Sequence, residues 1–244
     1  MLYLLRRKIT TLLFLSCLIP LAGSAQFSMD DLNLPDHDSK PIHFGITLGI
    51  NRSHYNFSHH PSFLNQDSVL AVEAVNSSGI QLAWLVNFNL SEHFDLRTYP
   101  LNLVFTEKAF EYSLKYPNAL LDEKPTMTKK VQSITMSLPI QIKFSSDRIN
   151  NFKVYTIAGG KIEYDFAATA GSKNAGNLIK LTKLDYGIEG GIGFHFYFPY
   201  FVLSPEIKLG WGLKNLHARD PELKYSSVID QINSRTVTFT LTVE

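Results

Sequence analysis

The segment from Thr182 to Gly212 limits the possible folds more than any other part of the chain. Between Leu184 and Phe198 the even positions are Leu184, Tyr186, Ile188, Gly190, Ile192, Phe194, Phe196 and Phe198; the odd ones are Asp185, Gly187, Glu189, Gly191, Gly193, His195 and Tyr197. One face is apolar, the other small or charged, with the period of two that belongs to a strand. The run is longer than the roughly five or six residues usual in a globular sheet. It satisfies the roughly nine to eleven residues that a tilted strand needs to cross a bilayer. Pro199 and Tyr200 interrupt it, and then Leu203, Ile207, Leu209, Trp211 and Leu213 alternate with Ser204, Glu206, Lys208, Gly210 and Gly212. The segment predicts a hairpin of two transmembrane strands, with one face for lipid and one for a crowded polar interior.

The same alternation recurs along the chain. Phe44, Ile46, Leu48 and Ile50 mark a first strand from Ile42 to Asn51, and Ile80, Leu82, Trp84, Val86, Phe88 and Leu90 a second, with Leu85 out of phase. A third, Phe94 to Tyr112, shifts phase at Pro100, where a residue with no amide donor predicts a bulge. Ile134 to Phe144, Phe152 to Phe166 and Val237 to Val243 give the fourth, fifth and eighth strands. Long connections (about residues 55–78, 113–130, 168–181 and 216–234) alternate with short ones at Ser91 to His93, Ser145 to Asn151 and Pro199 to Tyr200. Short turns at one end, long loops at the other and an even strand count are the pattern of an outer-membrane barrel with both termini in the periplasm. The expected fold is an all-β, eight-stranded antiparallel up-and-down transmembrane β-barrel over residues 42–244.

Alternation alone fits a soluble barrel with an apolar interior as well. The loop lengths favour the membrane form, as do the glycines on the polar face (Gly45, Gly49, Gly187, Gly191, Gly193, Gly210, Gly212), which relieve crowding inside a narrow barrel. So does the charge of both signs on that face: Lys143, Lys161, Glu163, Asp165, Asp185, Glu189, Glu206 and Lys208 are candidates for a lumenal polar network. Side chains fill the interior of an eight-stranded barrel, so a porin is not expected.

The first residues carry Arg6, Arg7 and Lys8, then an apolar stretch from Ile9 to Leu21 and small residues at Gly23 and Ala25. These are the parts of a secretory signal peptide, residues 1–25, cut between Ala25 and Gln26. Phe14, Leu15 and Ser16 before the single cysteine, Cys17, make only a loose lipoprotein motif. Loss of the signal turns the net charge of +1 into −2 and removes the only thiol, so neither nucleic-acid binding nor a disulfide or zinc–thiolate framework is expected. Residues 26–41, acidic and aperiodic with two prolines, read as a flexible periplasmic lead-in.

Candidates for chemistry are few. His54, His59 and His60 could offer imidazoles to a metal, but without a matching carboxylate or rigid frame they read as solvated loop residues. His195 and Ser204 lie on the polar faces of neighbouring strands near a predicted periplasmic turn. A hydrolase would also need an orienting acid and an oxyanion hole, so they read as packing. Asp185 with Glu189 could form an acid/base pair, although Lys161 and Lys208 offer a simpler ionic partnership. No catalytic residue, cofactor, metal or small-molecule substrate is expected. The loops at 55–78 and 216–234 mix apolar and polar residues and suit a partner protein.

Several blocks resemble one family: AQ at Ala25–Gln26, HFGITLGIN at His43–Asn51, QDSVLAVE at Gln66–Glu73, HFDLRTYPLNLVF at His93–Phe105, SLPIQIKF at Ser137–Phe144, and the run Val154–Phe166 with AGG at Ala158–Gly160. Together they resemble the PorT (SprT) proteins of Bacteroidetes over nearly the whole mature chain. The resemblance implies a non-enzymatic outer-membrane barrel that serves the type IX secretion system as an accessory or assembly component. In that role it is needed for export of secreted proteases and, in gliding relatives, for motility. It implies membrane lipid and other secretion components as partners and attributes no catalytic residue. The alternative is an outer-membrane enzyme modifying lipid A or phospholipid. The end, Val243-Glu244, departs from the aromatic terminus of many outer-membrane proteins.

Overall fold

The computed structural model describes residues 32–61, 63, 69–117, 124–168, 181–218, 226 and 228–244. The Ala25–Gln26 junction, Cys17 and most of the expected connection at 168–181 lie outside them, as do parts of the other long connections. The elements are β1 (Ile42–His59), β2 (Val69–Val75), β3 (Ser77–Asn89), β4 (Phe94–Leu114), β5 (Thr126–Ser145), β6 (Phe152–Asp165), β7 (Leu184–Tyr197), β8 (Val202–Gly212) and β9 (Ile229–Val243). All pairings are antiparallel, in the order β1-β3-β4-β5-β6-β7-β8-β9, and β9 returns to β1. The barrel is therefore closed from eight strands, and closure leaves its spanning part without a free edge. The ninth strand, β2, pairs with the upper part of β4, from Val69↔Leu114 to Val75↔Ala109, and continues the line of β3 beyond Asn76.

Period-two alternation sets the faces. On β1, Phe44, Ile46, Leu48 and Ile50 are exposed outward while His43, Thr47 and Asn51 are buried inward. On β9, Val237, Phe239, Leu241 and Val243 face out, and Thr238, Thr240 and Thr242 face in. An exposed apolar band of this extent is a surface suited to contact with lipid. Among the described residues no helix is long and apolar enough to cross a membrane. Aromatic rings gather outside near the short turns, with Phe94 5.1 Å from Phe144 and Phe198 4.8 Å from Phe201.

At Pro100 the β4–β5 register shifts between Thr98 and Leu103, and the β3–β4 register shifts between Trp84 and Val86. Pro100 and Leu101 both face outward there. The phase change in the sequence is this irregularity. The out-of-phase Leu85 points inward, fully buried with Tyr99 and Ala83.

Several connections expected as loops are strand. β1 runs to His59, β2 lies within residues 55–78, β5 begins at Thr126 and β9 at Ile229. These extensions enclose a second interior built from Tyr55, Val72, Phe110, Tyr112, Ile229 and Ile232, among others. Tyr55 stacks on Phe110 at 5.3 Å, and Phe57 meets the same ring edge-on at 5.6 Å. Each such buried side chain contributes about 1.5–3 kcal/mol relative to exposure.

Candidate functional site

The inward face of the spanning strands brings together a charged network with Glu206 of β8 at its centre. Arg97 of β4 reaches Glu206 Oε2 at 2.5 Å, the Tyr155 hydroxyl donates to the same oxygen at 2.9 Å, and Lys208 holds Oε1 at 2.9 Å. Arg97 also lies 3.6 Å from Glu244. Gly193 makes this packing possible: a Cβ there would overlap the ring of Tyr155, which crosses the neighbouring strand to reach Glu206.

Toward the short-turn end, Lys143 pairs with Asp95 at 2.6 Å, and Asn87 donates to the same carboxylate at 3.2 Å. Toward the other end Lys161 pairs with Glu163 at 2.7 Å, Gln141 donates to Glu189, and Ser133 donates to Asp165 at 2.7 Å. Taking two charges out of water costs several kcal/mol per ion. A lumen of this kind is stable only when nearly every charge has a counter-charge or donor in contact.

All eight predicted network residues occupy the inward face, but their pairing differs from the expected one. Lys161 and Lys208 act on Glu189, and Lys161 on Asp185, only through charge at longer range. Their nearer partners are Glu163 and Glu206, two residues along the same strand, because i and i+2 share a face. Asp185 accepts instead from the Tyr186 amide at 2.8 Å. Arg97, fully buried, was absent from the expectation, as were Asp95, Tyr155 and Glu244. The sequence carried a signal for Arg97: Asp95, Arg97 and Tyr99 alternate with Phe94, Leu96 and Thr98.

His195 and Ser204 do meet, Nδ1 to Oγ at 2.7 Å. The other ring nitrogen, Nε2, lies 3.2 Å from Lys143 Nζ. An ammonium only donates, so Nε2 accepts and the ring proton sits on Nδ1, where it is given to Ser204. The imidazole thus offers serine a proton rather than a lone pair, the reverse of what a nucleophilic serine needs. Both residues are buried. The contact is structural.

At the long-loop end the three candidate metal ligands diverge. His54 pairs in register with Arg235, His59 stacks on Phe63 at 4.5 Å, and the His60 amide donates to Val228 O at 3.0 Å. They form no ligand cluster among the described residues.

At the short-turn end, residues 33–40 are fastened to the barrel mouth. Asn33 Nδ2 donates to Tyr197 O at 3.0 Å, Arg148 donates to Asn33 O and stacks 3.7 Å over the Tyr197 ring, and the Tyr197 hydroxyl donates to Asp38 at 2.8 Å. Burial pushes the Asp38 carboxyl up, but hydrogen bonds from His37 and Tyr197 and the Lys153 charge hold it well below the usual carboxylate range. The described part of the expected flexible lead-in is therefore anchored, by partners from distant strands that an aperiodic sequence does not reveal.

The polar cavities of the lumen measure about 20, 50 and 30 Å³ from the short-turn end upward, room for a water or two each. A closed barrel with lipid-facing apolar strands and a charge-filled interior is an integral membrane β-barrel. The chain belongs to the family described as the outer membrane protein beta-barrel domain, which matches residues 25–218. No curated protein matches it. Among solved structures it is similar to the neisserial surface protein A, at 11% identity over 84% of this chain and 99% of that one, with a TM-score of 0.43. OprG from Pseudomonas aeruginosa shows 10% identity over 82% and 92%, with a TM-score of 0.42. Ail of Yersinia pestis, solved with the heparin analogue sucrose octasulfate, shows 13% identity over 82% and 96%, with a TM-score of 0.38. Similarity at these scores carries no functional argument.

Proposed function

We propose that this outer-membrane barrel is a non-enzymatic accessory or assembly component of the type IX secretion system, acting through its two ends rather than its lumen. The observation that carries this reading is the filled interior. Arg97, Tyr99, Tyr155 and Glu206 are all essentially inaccessible at mid-barrel, so neither solute passage nor lumenal catalysis has space. What remains for a partner is the anchored mouth at the short-turn end and the strand extensions at the other. The type IX assignment is supported by the sequence blocks that resemble PorT proteins. In this reading the signal peptide is cut between Ala25 and Gln26, both termini face the periplasm, and the partners are membrane lipid and other secretion components. No cofactor, nucleic acid or small-molecule substrate takes part.

The test is purification of the tagged protein from detergent-extracted outer membranes with identification of co-purifying proteins, alongside assay of protease export in a deletion strain. Recovery of secretion-system components, lost when residues 55–78 or 216–234 are shortened, is the expected result. A solitary barrel together with normal export and altered lipid A or phospholipid in the deletion strain would overturn it in favour of a lipid-modifying enzyme.

A further inference from the structure

We infer that the short-turn mouth contains a binding site for a zinc-class divalent cation, formed by His37 of the anchored segment, His43 at the start of β1 and Glu244 after β9. One ligand atom from each of these residues lies within 4.8 Å of the others. The two imidazole rings are 4.3 Å apart between centroids. Two imidazoles and a carboxylate form a ligand set that zinc takes with a fourth position left open. A tetrahedral zinc ion with bonds of about 2.0–2.1 Å holds its donors roughly 3.3 Å apart. The site closes onto a cation by movements of about an ångström, within the reach of side-chain rotation.

Three features of the structure point to a ligand. First, Glu244 Oε1 is buried with no hydrogen-bond partner, its nearest opposite charge being Arg97 at 3.6 Å. Buried polar atoms left in this way are uncommon and cost free energy unless something satisfies them. Second, all three side chains border one polar cavity of about 20 Å³, the volume of a single ion or water. Third, the backbone is shaped to deliver the carboxylate. A Cβ on Gly45 would stand 2.9 Å from Glu244 Cγ, so the glycine two residues after His43 opens the path by which Glu244 crosses β1.

The surroundings fit a cation. Asp38 Oδ1, facing His37 Nδ1, occupies the position of the acid that orients a metal-binding imidazole and leaves Nε2 for the metal. Glu92 and Asp95 border the same cavity and offset Lys143 and Lys153, which also reach it. Because His37 belongs to the segment before β1 and the other two ligands to the barrel, metal binding would clamp residues 33–40 onto the mouth. Withdrawal would loosen them, leaving the Arg148 and Tyr197 contacts to hold the segment. The site would make the position of this segment responsive to zinc.

The test uses the detergent-solubilised protein without a polyhistidine tag, stripped with chelator and titrated with Zn²⁺ and, as a spectroscopic probe, Co²⁺. The expected result is one equivalent bound, visible d–d absorption from Co²⁺ with nitrogen ligation, and slower amide exchange at residues 33–40 in the loaded form. His37→Ala, His43→Ala and Glu244→Gln should each weaken binding by about tenfold or more, and Asp38→Asn by about tenfold, the scale for loss of an orienting partner. Glu244→Gln keeps the side chain's volume, so its effect is read in a folded barrel, with heat-modifiable migration as the check. His59→Ala at the opposite end should change nothing. Absence of binding at micromolar zinc, or binding that survives all three ligand substitutions, would overturn the site.

Discussion

The two halves of this barrel obey opposite rules with the same strands. Along β1 the inward positions run His43, Gly45, Thr47, Gly49, Asn51 and Ser53, then become Tyr55 and Phe57; the outward ones run Phe44, Ile46, Leu48 and Ile50, then become Arg52, His54, Asn56 and Ser58. β9 reverses at the same height, from Val237 outward to Arg235 and Gln231, and from Thr236 inward to Ile232. β4 does so between Phe105 and Glu107. Hydrogen bonding and register continue through the change, so the backbone does not cause it. What changes is the solvent outside. Where the outer face meets lipid, apolar side chains lose nothing by facing out and the interior must be held by ionic pairing. Where it meets water, the hydrophobic effect returns and the interior becomes an ordinary apolar core.

The two interiors should therefore fail in different ways. The largest effect is expected in the polar half. Glu206→Ala leaves Arg97 and Lys208 without their shared counter-charge, and losing one partner of a buried pair costs about 3–5 kcal/mol. Urea unfolding in detergent micelles measures it. Replacing all three together, Arg97→Met, Glu206→Leu and Lys208→Met, should recover most of the loss, since apolar replacement of a whole buried group is often neutral. If the single change is nearly silent, water reaches the network and the contrast between the halves collapses.

In the apolar half the cost comes from a cavity rather than a stranded charge. Ile232, fully buried in the upper cluster, should lose about 2–5 kcal/mol on change to Ala. No second substitution of opposite charge should rescue it. The same unfolding titration provides the comparison.

The spanning half was legible in the sequence because alternation with apolar residues outside is repeated for eight strands and broken only locally, at Leu85 and Pro100. The upper half was not. Reversal of the pattern within one short stretch, as from Ile50 to Tyr55, destroys a single-phase alternation, so continuing strand looks like a mixed loop. The candidate site shows the same division. Membership of the inward face follows from odd and even numbering, whereas the partner of each charge depends on how far its side chain reaches. Sequence alone does not place His37 and Glu244, 207 positions apart, against His43. Barrel closure of β9 onto β1 does.

A pair of arginine substitutions on one face of β1 locates the boundary. Leu48→Arg, exposed within the apolar band, should cost about 2–4 kcal/mol if near the bilayer midplane. Asn56→Arg, eight residues on and also outward and exposed, should stay within about 0.5 kcal/mol, as at a water-facing surface. Equal costs would mean that lipid covers both positions, and the reversal would need another cause. Intermediate replacements at Ile50 and His54 would fix the height of the change.

The smallest expected effect concerns the anchored segment outside both halves. Asp38 accepts from Tyr197 and lies 3.7 Å from Lys153, and partly exposed pairs contribute about 0–1 kcal/mol. Asp38→Asn should therefore leave global unfolding almost unchanged, while amide exchange at residues 33–40 accelerates. The pH dependence follows from the direction of its shift. A carboxyl held below its unfolded value near 4 contributes fully above that pH, and its contribution is lost as pH falls through the lower folded value. Between pH 8 and about 5 the Asp38 contribution should stay constant, and it should weaken only in stronger acid. Protection of residues 33–40 relative to the Asp38→Asn protein reads that contribution directly. A difference that already disappeared at mildly acidic pH would mean that a group other than Asp38 fastens the segment to the mouth.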